Sequence, residues 1–303
     1  MATRTARRKY PSSTVASREG GGRGDHASDT LEADRVQVGT VDEEGSLLGR
    51  IAVVTGVSRR VGIGFAIAQR LLADGASVVV HSWSAHDAVQ TRADPGGIDA
   101  VLSALGGNAR LRHFEADLAD PHAPRRLIDY ALAEFGAVDV LVANHARSSE
   151  GGLEDVTAEE LDQSWAVIAR AVVLLAQAYA AVHDDRRPHG RIILFTSGQH
   201  VDPMGGEMAY AISKGAVHQM PRSLADELAD RAITVNTINP GPVNTGWASP
   251  ELLERLSGAF PARRWGQPAD IAAVVRLIVD DDSAWVTGQI INAEGGYRRS
   301  PLE

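Results

Sequence analysis

The chain has 303 residues, 44% of them hydrophobic, which is enough to bury one substantial core and predicts a single folded domain. It contains no cysteine, so disulfide bonds, thiolate catalysis and cysteine-ligated metal sites are excluded. A formal net charge of -9 argues against nucleic acid as a partner, because binding to phosphates requires a basic face.

The apolar runs of the sequence are short. The longest, such as Ala171 to Ala178, fall below the roughly 20 residues needed to cross a bilayer, so we expect no membrane association and a cytoplasmic protein. The segment 1–48 is rich in Arg, Gly, Ser, Thr and Asp, has no apolar period and is predicted to be a disordered tail before one domain, 49–303. Arg7 and Arg8 could begin a twin-arginine export signal, but the apolar region that such a signal requires is missing.

From Arg50 onward, short β-branched runs alternate with longer amphipathic segments. This alternation predicts an α/β fold: a single Rossmann-type domain with a doubly wound, seven-stranded parallel sheet and helices on both faces. The predicted strands are Ile51 to Thr55, Ser77 to His81, Ala109 to Glu115, Val138 to Ala143, Arg191 to Thr196, Thr234 to Asn239 and Gln289 to Asn292. The segment Gly64 to Asp74 has helical spacing of its apolar residues.

A glycine-rich turn follows the first predicted strand and opens the first helix. Glycines at this junction let the backbone approach a pyrophosphate, which then lies at the positive end of the helix. The turn therefore predicts a dinucleotide site, although an ordinary βα turn is the alternative. Its predicted cofactor-binding residues are Gly56, Ser58, Arg59, Arg60, Gly62, Ile63 and Gly64.

The end of the second strand bears on the choice of cofactor. A carboxylate there would bind the ribose 2′-hydroxyl and repel a 2′-phosphate, but the strand ends in His81, Ser82 and Trp83. With Arg59 and Arg60 available to pair with phosphate, NADP(H) is predicted to be preferred, with Ser82 near the ribose and NAD(H) as the alternative. Asp87 lies a few residues further on and would weaken this preference if its loop folded back.

Three residues form a candidate reaction centre. Ser197 follows the fifth predicted strand, and Tyr210 and Lys214 lie four residues apart on one helix, so they point the same way. A phenol titrates near pH 10 and needs a nearby cation to stabilise its phenolate, which Lys214 would supply. Ser197 would donate a hydrogen bond to a substrate oxygen as negative charge develops on it. Lys214 is one of two lysines in the chain, the other being Lys9.

These motifs resemble the short-chain dehydrogenase/reductase family over about Ser46 to Tyr297. The resemblance rests on the glycine turn, Asp117–Leu118, Asn144–His145–Ala146, Ser197, Tyr210, Lys214 and the run Asn239 to Thr245, in this order. It implies that Asp117 and Leu118 contact the adenine and that Asn144, His145 and Ala146 border the cofactor, with Tyr210 and Lys214 also contacting it. The loop residues Pro240, Gly241, Val243 and Thr245 would hold the nicotinamide and phosphates.

The spacing of Tyr210 and Lys214 resembles ketoreductases, including 3-oxoacyl-acyl-carrier-protein reductases, rather than enoyl reductases. The resemblance therefore implies hydride transfer between nicotinamide and a small-molecule ketone or secondary alcohol, or a 3-oxoacyl thioester. It also implies a homotetramer or homodimer formed through the helices Thr157 to His183 and Tyr210 to Arg231. We predict no metal, because no histidines and carboxylates show ligand spacing on one element. Thr196-Ser197-Gly198 lacks the elbow motif of serine hydrolases.

Three departures from the family pattern leave a second interpretation open. Ile168 stands where the family usually has an asparagine of a proton relay, the glycine turn is two residues longer near Arg60 and Val61, and His145 replaces a small residue. A cofactor-binding protein with little turnover, in a regulatory or assembly role, is therefore the alternative to an enzyme.

Two features near the predicted substrate pocket each have two possible roles. His200 could line the substrate pocket, with a packing role for it and for His145 as the other interpretation. The segment Trp247 to Arg263 is predicted to form a substrate lid, whose apolar face either covers the substrate or docks the lid on the core. That face consists of Leu252, Leu253, Leu256 and Phe260.

Overall fold

The structure, a computed structural model, describes residues 46–89, 93–187 and 190–299. Most of the predicted tail therefore lies outside the described residues. Its last residues are part of the folded domain, because Leu47 is buried in the core and its N–H donates to the carbonyl of Asp74 at 2.8 Å. The predicted boundary after residue 48 is corrected accordingly.

Seven parallel strands form one sheet in the order β3-β2-β1-β4-β5-β6-β7, which confirms the predicted doubly wound fold. The central strands are β-branched and buried on both faces, as a parallel sheet covered by helices requires. The strands are β1 (Ile51–Thr55), β2 (Ser77–Ser82), β3 (Leu111–Glu115), β4 (Val140–Ala143), β5 (Gly190–Phe195), β6 (Ile233–Asn239) and β7 (Ile290–Asn292). Each lies within its predicted segment or differs from it by a terminal residue.

Helices cover both faces of this sheet. They are α1 (Ile63–Ala73), α2 (Ser84–Val89), α3 (Gly97–Ala104), α4 (Ala123–Phe135), α5 (Ala158–Ser164), α6 (Ala171–Val182), α7 (Met208–Leu228), α8 (Pro250–Ser257) and α9 (Pro268–Val279). Alternate residues of each strand face opposite sides, so Val54 packs with α1 and α9 while its neighbour Val53 packs with α4, α6 and α7. The core is thus divided into two apolar layers by the sheet.

Helices α5 and α6 are joined by a π-helical segment, Trp165–Arg170, into one continuous helix, Ala158–Val182. Among the described residues, this is the one helix long and apolar enough to cross a membrane by length and composition, although Arg170 interrupts its apolar run. Half of its most apolar window is buried in the protein, as for an ordinary core helix. The feature is therefore weak evidence for a membrane span.

The order of the strands decides where a ligand can bind. The chain leaves β1 toward β2 and β3 on one side and returns to β4 on the other, so the loops after β1 and β4 diverge and leave a crevice. The carboxyl ends of all the strands meet at this edge of the sheet. The candidate residues that follow β1, β4, β5 and β6 are consequently brought together.

Candidate active site

A cavity of about 860 Å³ lies at the carboxyl edge of the sheet. It contains most of the residues predicted to bind a cofactor or to react. Those that line it are Gly56, Ser58, Arg59, Gly62, Ile63, Asp117, Leu118, Asn144, His145, Ala146, Ser197, Tyr210, Lys214, Pro240, Gly241 and Thr245. Arg60, Gly64, Ser82 and Val243 do not line it, and each has another role in the structure.

The glycine turn is held against the end of β4 by close backbone packing. Gly56 has a φ of +74°, and the side chain of Asn144 donates to the carbonyls of Thr55 at 3.0 Å and Gly56 at 3.2 Å. A Cβ on Gly64 would lie 2.4 Å from the Gly56 carbonyl oxygen, so a glycine is required at this position. Gly64 therefore lets α1 approach the turn and does not itself face the cavity.

The two arginines of the turn are placed differently from each other. The guanidinium of Arg60 pairs with Asp94, whose carboxylate also accepts the Arg60 backbone N–H at 2.9 Å. Because this pair directs Arg60 away from the cavity, the structure does not support its predicted contact with a phosphate. Arg59 lines the cavity and donates to the carbonyl of Thr245 at 3.2 Å, which links the glycine turn to the loop after β6.

The end of β2 also differs from the prediction. The hydroxyl of Ser82 is buried and lies 2.8 Å from His113 Nε2, so it is engaged within the sheet instead of facing a ribose. Trp83 and Asp87 line the cavity here. His81 lies beneath the glycine turn, and burial lowers its pKa to about 4, so its imidazole is neutral at ordinary pH.

Val243, in the loop after β6, is buried in the core and does not line the cavity. Its carbonyl accepts a hydrogen bond from Trp247 Nε1 at 2.9 Å.

Ser197, Tyr210 and Lys214 converge at the cavity, as their spacing predicts. Burial raises the pKa of Tyr210, Glu207 raises it further, and a hydrogen bond with Ser197 opposes the rise. Lys214 Nζ donates to the carbonyl of Phe195 at 2.7 Å and lies 5.7 Å from the centre of the Tyr210 ring. Burial lowers the pKa of Lys214 to about 8.

The pKa shifts add the effect of burial to the sequence argument. Burial raises the pKa of Tyr210, and stabilisation of its phenolate by Lys214 stays a prediction. At neutral pH the phenol therefore carries its proton and the ammonium retains its charge.

The positions that depart from the family pattern take up defined places. The side chain of Ile168 is fully buried in the apolar layer under β4 and does not reach the cavity. His145 lines the cavity and is hydrogen-bonded on both ring nitrogens, to Thr55 and to the Val167 carbonyl. His200 is exposed and does not line the cavity; its Nδ1 lies 3.0 Å from the carbonyl of Ser197 and its ring stacks near His218.

The predicted lid contains helix α8. Ser249 caps its N-terminus, with a hydroxyl that accepts the N–H of Leu252 at 3.2 Å. Phe260 is buried against Trp265 and Tyr297, whereas Leu256 faces the cavity. Phe260 thus docks this segment on the core, and covering of a substrate by Leu256 stays a prediction.

Sequence reasoning included the segment after β7 in the family resemblance but gave its side chains no role in the cavity. Glu294, Tyr297 and Arg299 line the cavity, and Arg299 pairs with Glu294 and lies over the ring of Tyr297. Their place at the cavity depends on where β7 ends relative to β6, which the sequence pattern does not give. In the described part of the chain, no group of three or more histidine and acidic side chains has the geometry to hold a metal ion.

Comparison with known proteins identifies the family of this chain. Residues 56–298 match the family model described as enoyl-(acyl carrier protein) reductase. An uncharacterised oxidoreductase of Bacillus subtilis, YjdA, is 35% identical over 252 residues, which is 82% of this chain and 97% of that protein. The chain belongs to the short-chain dehydrogenase/reductase family.

Solved structures of short-chain dehydrogenase/reductase type share the whole fold. The promiscuous reductase LugOII, described as catalysing keto-reduction at C1 in lugdunomycin biosynthesis, is 34% identical with a TM-score of 0.72, covering 83% of this chain and 98% of its own. A blue fluorescent protein from a metagenomic library, solved in complex with NADPH, is 33% identical with the same TM-score and the same coverage of both chains. The chain is thus an oxidoreductase of a family that binds nicotinamide cofactors.

Proposed function

We propose that this short-chain dehydrogenase/reductase uses NADPH to reduce the carbonyl of a small-molecule ketone to a secondary alcohol. The observation that carries the proposal is the convergence of Ser197, a protonated Tyr210 and a charged Lys214 on one wall of the cavity. The residues present fit a dinucleotide, because Gly56, Gly62 and Gly241 line the cavity without adding a side chain to it and let the backbone approach a phosphate.

Each of the three side chains has its own task in carbonyl reduction. The hydroxyls of Ser197 and Tyr210 donate hydrogen bonds to the carbonyl oxygen and polarise the C=O bond. The nicotinamide, when bound, supplies the hydride to the carbonyl carbon. Tyr210 then transfers its proton to the oxygen, and the ammonium of Lys214 stabilises the phenolate that remains. The products are the alcohol and a tyrosinate, which regains a proton from solvent.

Reduction of C=O is favoured over reduction of C=C, although the matching family model carries the name of an enoyl reductase. A hydroxyl pair placed to donate to one oxygen suits a carbonyl, which accepts two hydrogen bonds as its charge develops. The keto-reduction named for LugOII supports the same assignment. A panel of ketones, 3-oxoacyl thioesters and enoyl thioesters tests it, and turnover of the enoyl substrates alone would contradict it.

NADP(H) is the proposed cofactor, with NAD(H) as the alternative. The neighbour in complex with NADPH and the position of Arg59 at the cavity support NADP(H). Asp87 at the cavity wall and the pairing of Arg60 with Asp94 act against it. The ratio of kcat/KM for NADPH and NADH measures the preference, and a ratio below one would reverse the assignment.

Gly64→Ala should weaken NADPH binding about 5- to 100-fold, equivalent to roughly 1–3 kcal/mol of overpacking. The new methyl group would lie 2.4 Å from the Gly56 carbonyl oxygen and 2.7 Å from Asn144 Nδ2, so the glycine turn must move. Fluorescence titration gives the Kd. Gln69→Ala, at an exposed position of the same helix, is the control. An unchanged Kd in Gly64→Ala would show that the turn does not set cofactor affinity.

Ketone reduction should slow as the pH rises through about 8. The pKa of Lys214 is lowered to about 8, so its ammonium is charged below that pH and neutral above it. The pKa of Tyr210 is raised, so loss of the phenol proton cannot account for a decline in this range. The dependence of kcat/KM on pH measures the effect. A profile that stays flat to pH 9.5 would contradict the role of the Lys214 charge.

The proposed assembly is a homodimer or homotetramer. The helices predicted to form it carry exposed apolar side chains, with Trp165 49%, Val173 43% and Ile212 52% exposed. Burying such side chains between copies would stabilise an oligomer. Light scattering at micromolar concentration should give twice or four times the chain mass of 32.2 kDa, and a monomeric mass would contradict the proposal.

A cofactor-binding protein with little turnover is the second candidate, and Ile168 is the observation that favours it. An apolar side chain at this position cannot hold the water of a proton relay. NADPH binding with no reduction of any substrate in the panel would select this candidate.

A further inference from the structure

We propose that His145 is a positioning residue of the proposed reductase, because its side chain ties the end of β1 to the π-helical segment beside Lys214. The inference rests on the proposed function, since its task is to keep the reacting wall of the cavity in place. It gives a task to one unusual residue of this chain, His145, through a contact that the structure shows.

The π-helical segment leaves one carbonyl in need of a partner. In a regular α-helix the N–H of Ala171 would donate to Val167, but here it donates to Ala166, one residue earlier. The carbonyl of Val167 is instead 2.9 Å from His145 Nε2. The imidazole thus takes the place of the backbone donor that the wider helical turn has redirected.

The protonation of His145 follows from its two partners. A carbonyl oxygen can only accept, so Nε2 must carry the hydrogen, and Nδ1, 2.7 Å from Thr55 Oγ1, must accept the threonine hydroxyl hydrogen. Burial lowers the pKa of His145 to about 3, and the nearby charge of Lys214 adds to this effect. The imidazole is therefore neutral, in one tautomer, at every working pH.

The contact joins elements that carry the reaction centre. Thr55 ends β1 and His145 follows β4, both beside Gly56, whose missing Cβ would lie 2.8 Å from His145 Cα. The π-helical segment packs against α7, which carries Tyr210 and Lys214, and Val167 itself lines the cavity.

The family pattern places a polar side chain on the helix, at position 168, but here that side chain is an isoleucine buried in the core. In this chain the imidazole of His145, in the loop after β4, contacts the helix backbone at Val167 and the end of β1 at Thr55. It thereby holds the distance between the glycine turn and the Lys214 side of the cavity.

Three variants test the proposal. His145→Ala removes the donor to Val167, and kcat should fall about 10- to 100-fold, as for a small displacement of reacting groups. KM for the ketone should stay within about threefold. His145→Gln, whose amide nitrogen reaches about as far as Nε2, should retain kcat within about fivefold of the unaltered protein. His183→Ala is the matched control, because His183 is equally buried but stacks on Tyr179 away from the cavity.

A second readout does not depend on activity. Amide hydrogen exchange in residues 163–172 of the full chain should accelerate in His145→Ala but not in His145→Gln or His183→Ala. If the unaltered protein reduces no carbonyl, the proposed function fails while this readout still tests the contact. Unchanged kcat in His145→Ala, equal losses in His145→Ala and His145→Gln, or unchanged exchange in His145→Ala would each overturn the inference.

Discussion

Tyr210→Phe should lower kcat for ketone reduction by about 10²- to 10⁴-fold, the range that a positioned general acid contributes. The substitution removes only the phenol oxygen, which holds the hydrogen bond with Ser197 and carries the proton at neutral pH. The ring and its packing remain, so the Kd for NADPH should stay within about threefold. Single-turnover reduction of the best ketone of the panel, followed by NADPH absorbance, measures the loss.

A matched control uses another tyrosine. Tyr130 on α4 packs against Phe114 and does not line the cavity, so Tyr130→Phe removes a phenol oxygen without affecting proton transfer. Its kcat should equal that of the unaltered protein. Turnover that survives in Tyr210→Phe would mean that another group supplies the proton, and the proposed mechanism would have to be abandoned.

Asp139→Ala should destabilise the protein by about 3–5 kcal/mol, as for the loss of one partner of a buried ion pair. The Asp139 side chain is fully buried, accepts from Arg187 Nε at 2.6 Å and Nη2 at 2.8 Å, and also accepts the N–H of Ile51 at 2.8 Å. Removing the carboxylate leaves the N–H of Ile51, at the start of β1, without its acceptor. The melting temperature should fall by roughly 10 °C.

An exposed ion pair serves as the comparison for this variant. Asp184 pairs with Arg186 at 2.9 Å, but the arginine side chain is 89% exposed, so Asp184→Ala should lower the free energy of unfolding far less than Asp139→Ala. Denaturant unfolding of both variants gives the two free energies. Equal losses of unfolding free energy in the two variants would show that the buried Asp139 stabilises the protein no more than an exposed ion pair does.

The site residues that the sequence predicted are those whose geometry depends on neighbours close in sequence. Tyr210 and Lys214 share a helix face because four residues make about one turn, and this holds wherever the helix packs. The glycine turn predicts a close backbone approach for the same kind of local reason. The pairing of Arg60 with Asp94 was not predictable, because Asp94 is 34 residues away and belongs to a different loop. The same holds for Ser82 and His113, which meet across neighbouring strands.

By itself, the sequence determined the α/β fold, the strand segments and the presence of Ser197, Tyr210 and Lys214 at one edge of the sheet. Hydrophobic periodicity and parallel strand direction depend only on neighbouring residues and on chirality, so they can be read without a structure. The tertiary structure decided the upward shift of the Tyr210 pKa, the direction of Arg60 and the contact between His145 and Val167. These properties depend on burial and on partners distant in sequence, because the free energy of a charge or a hydrogen bond is set by what surrounds it after folding.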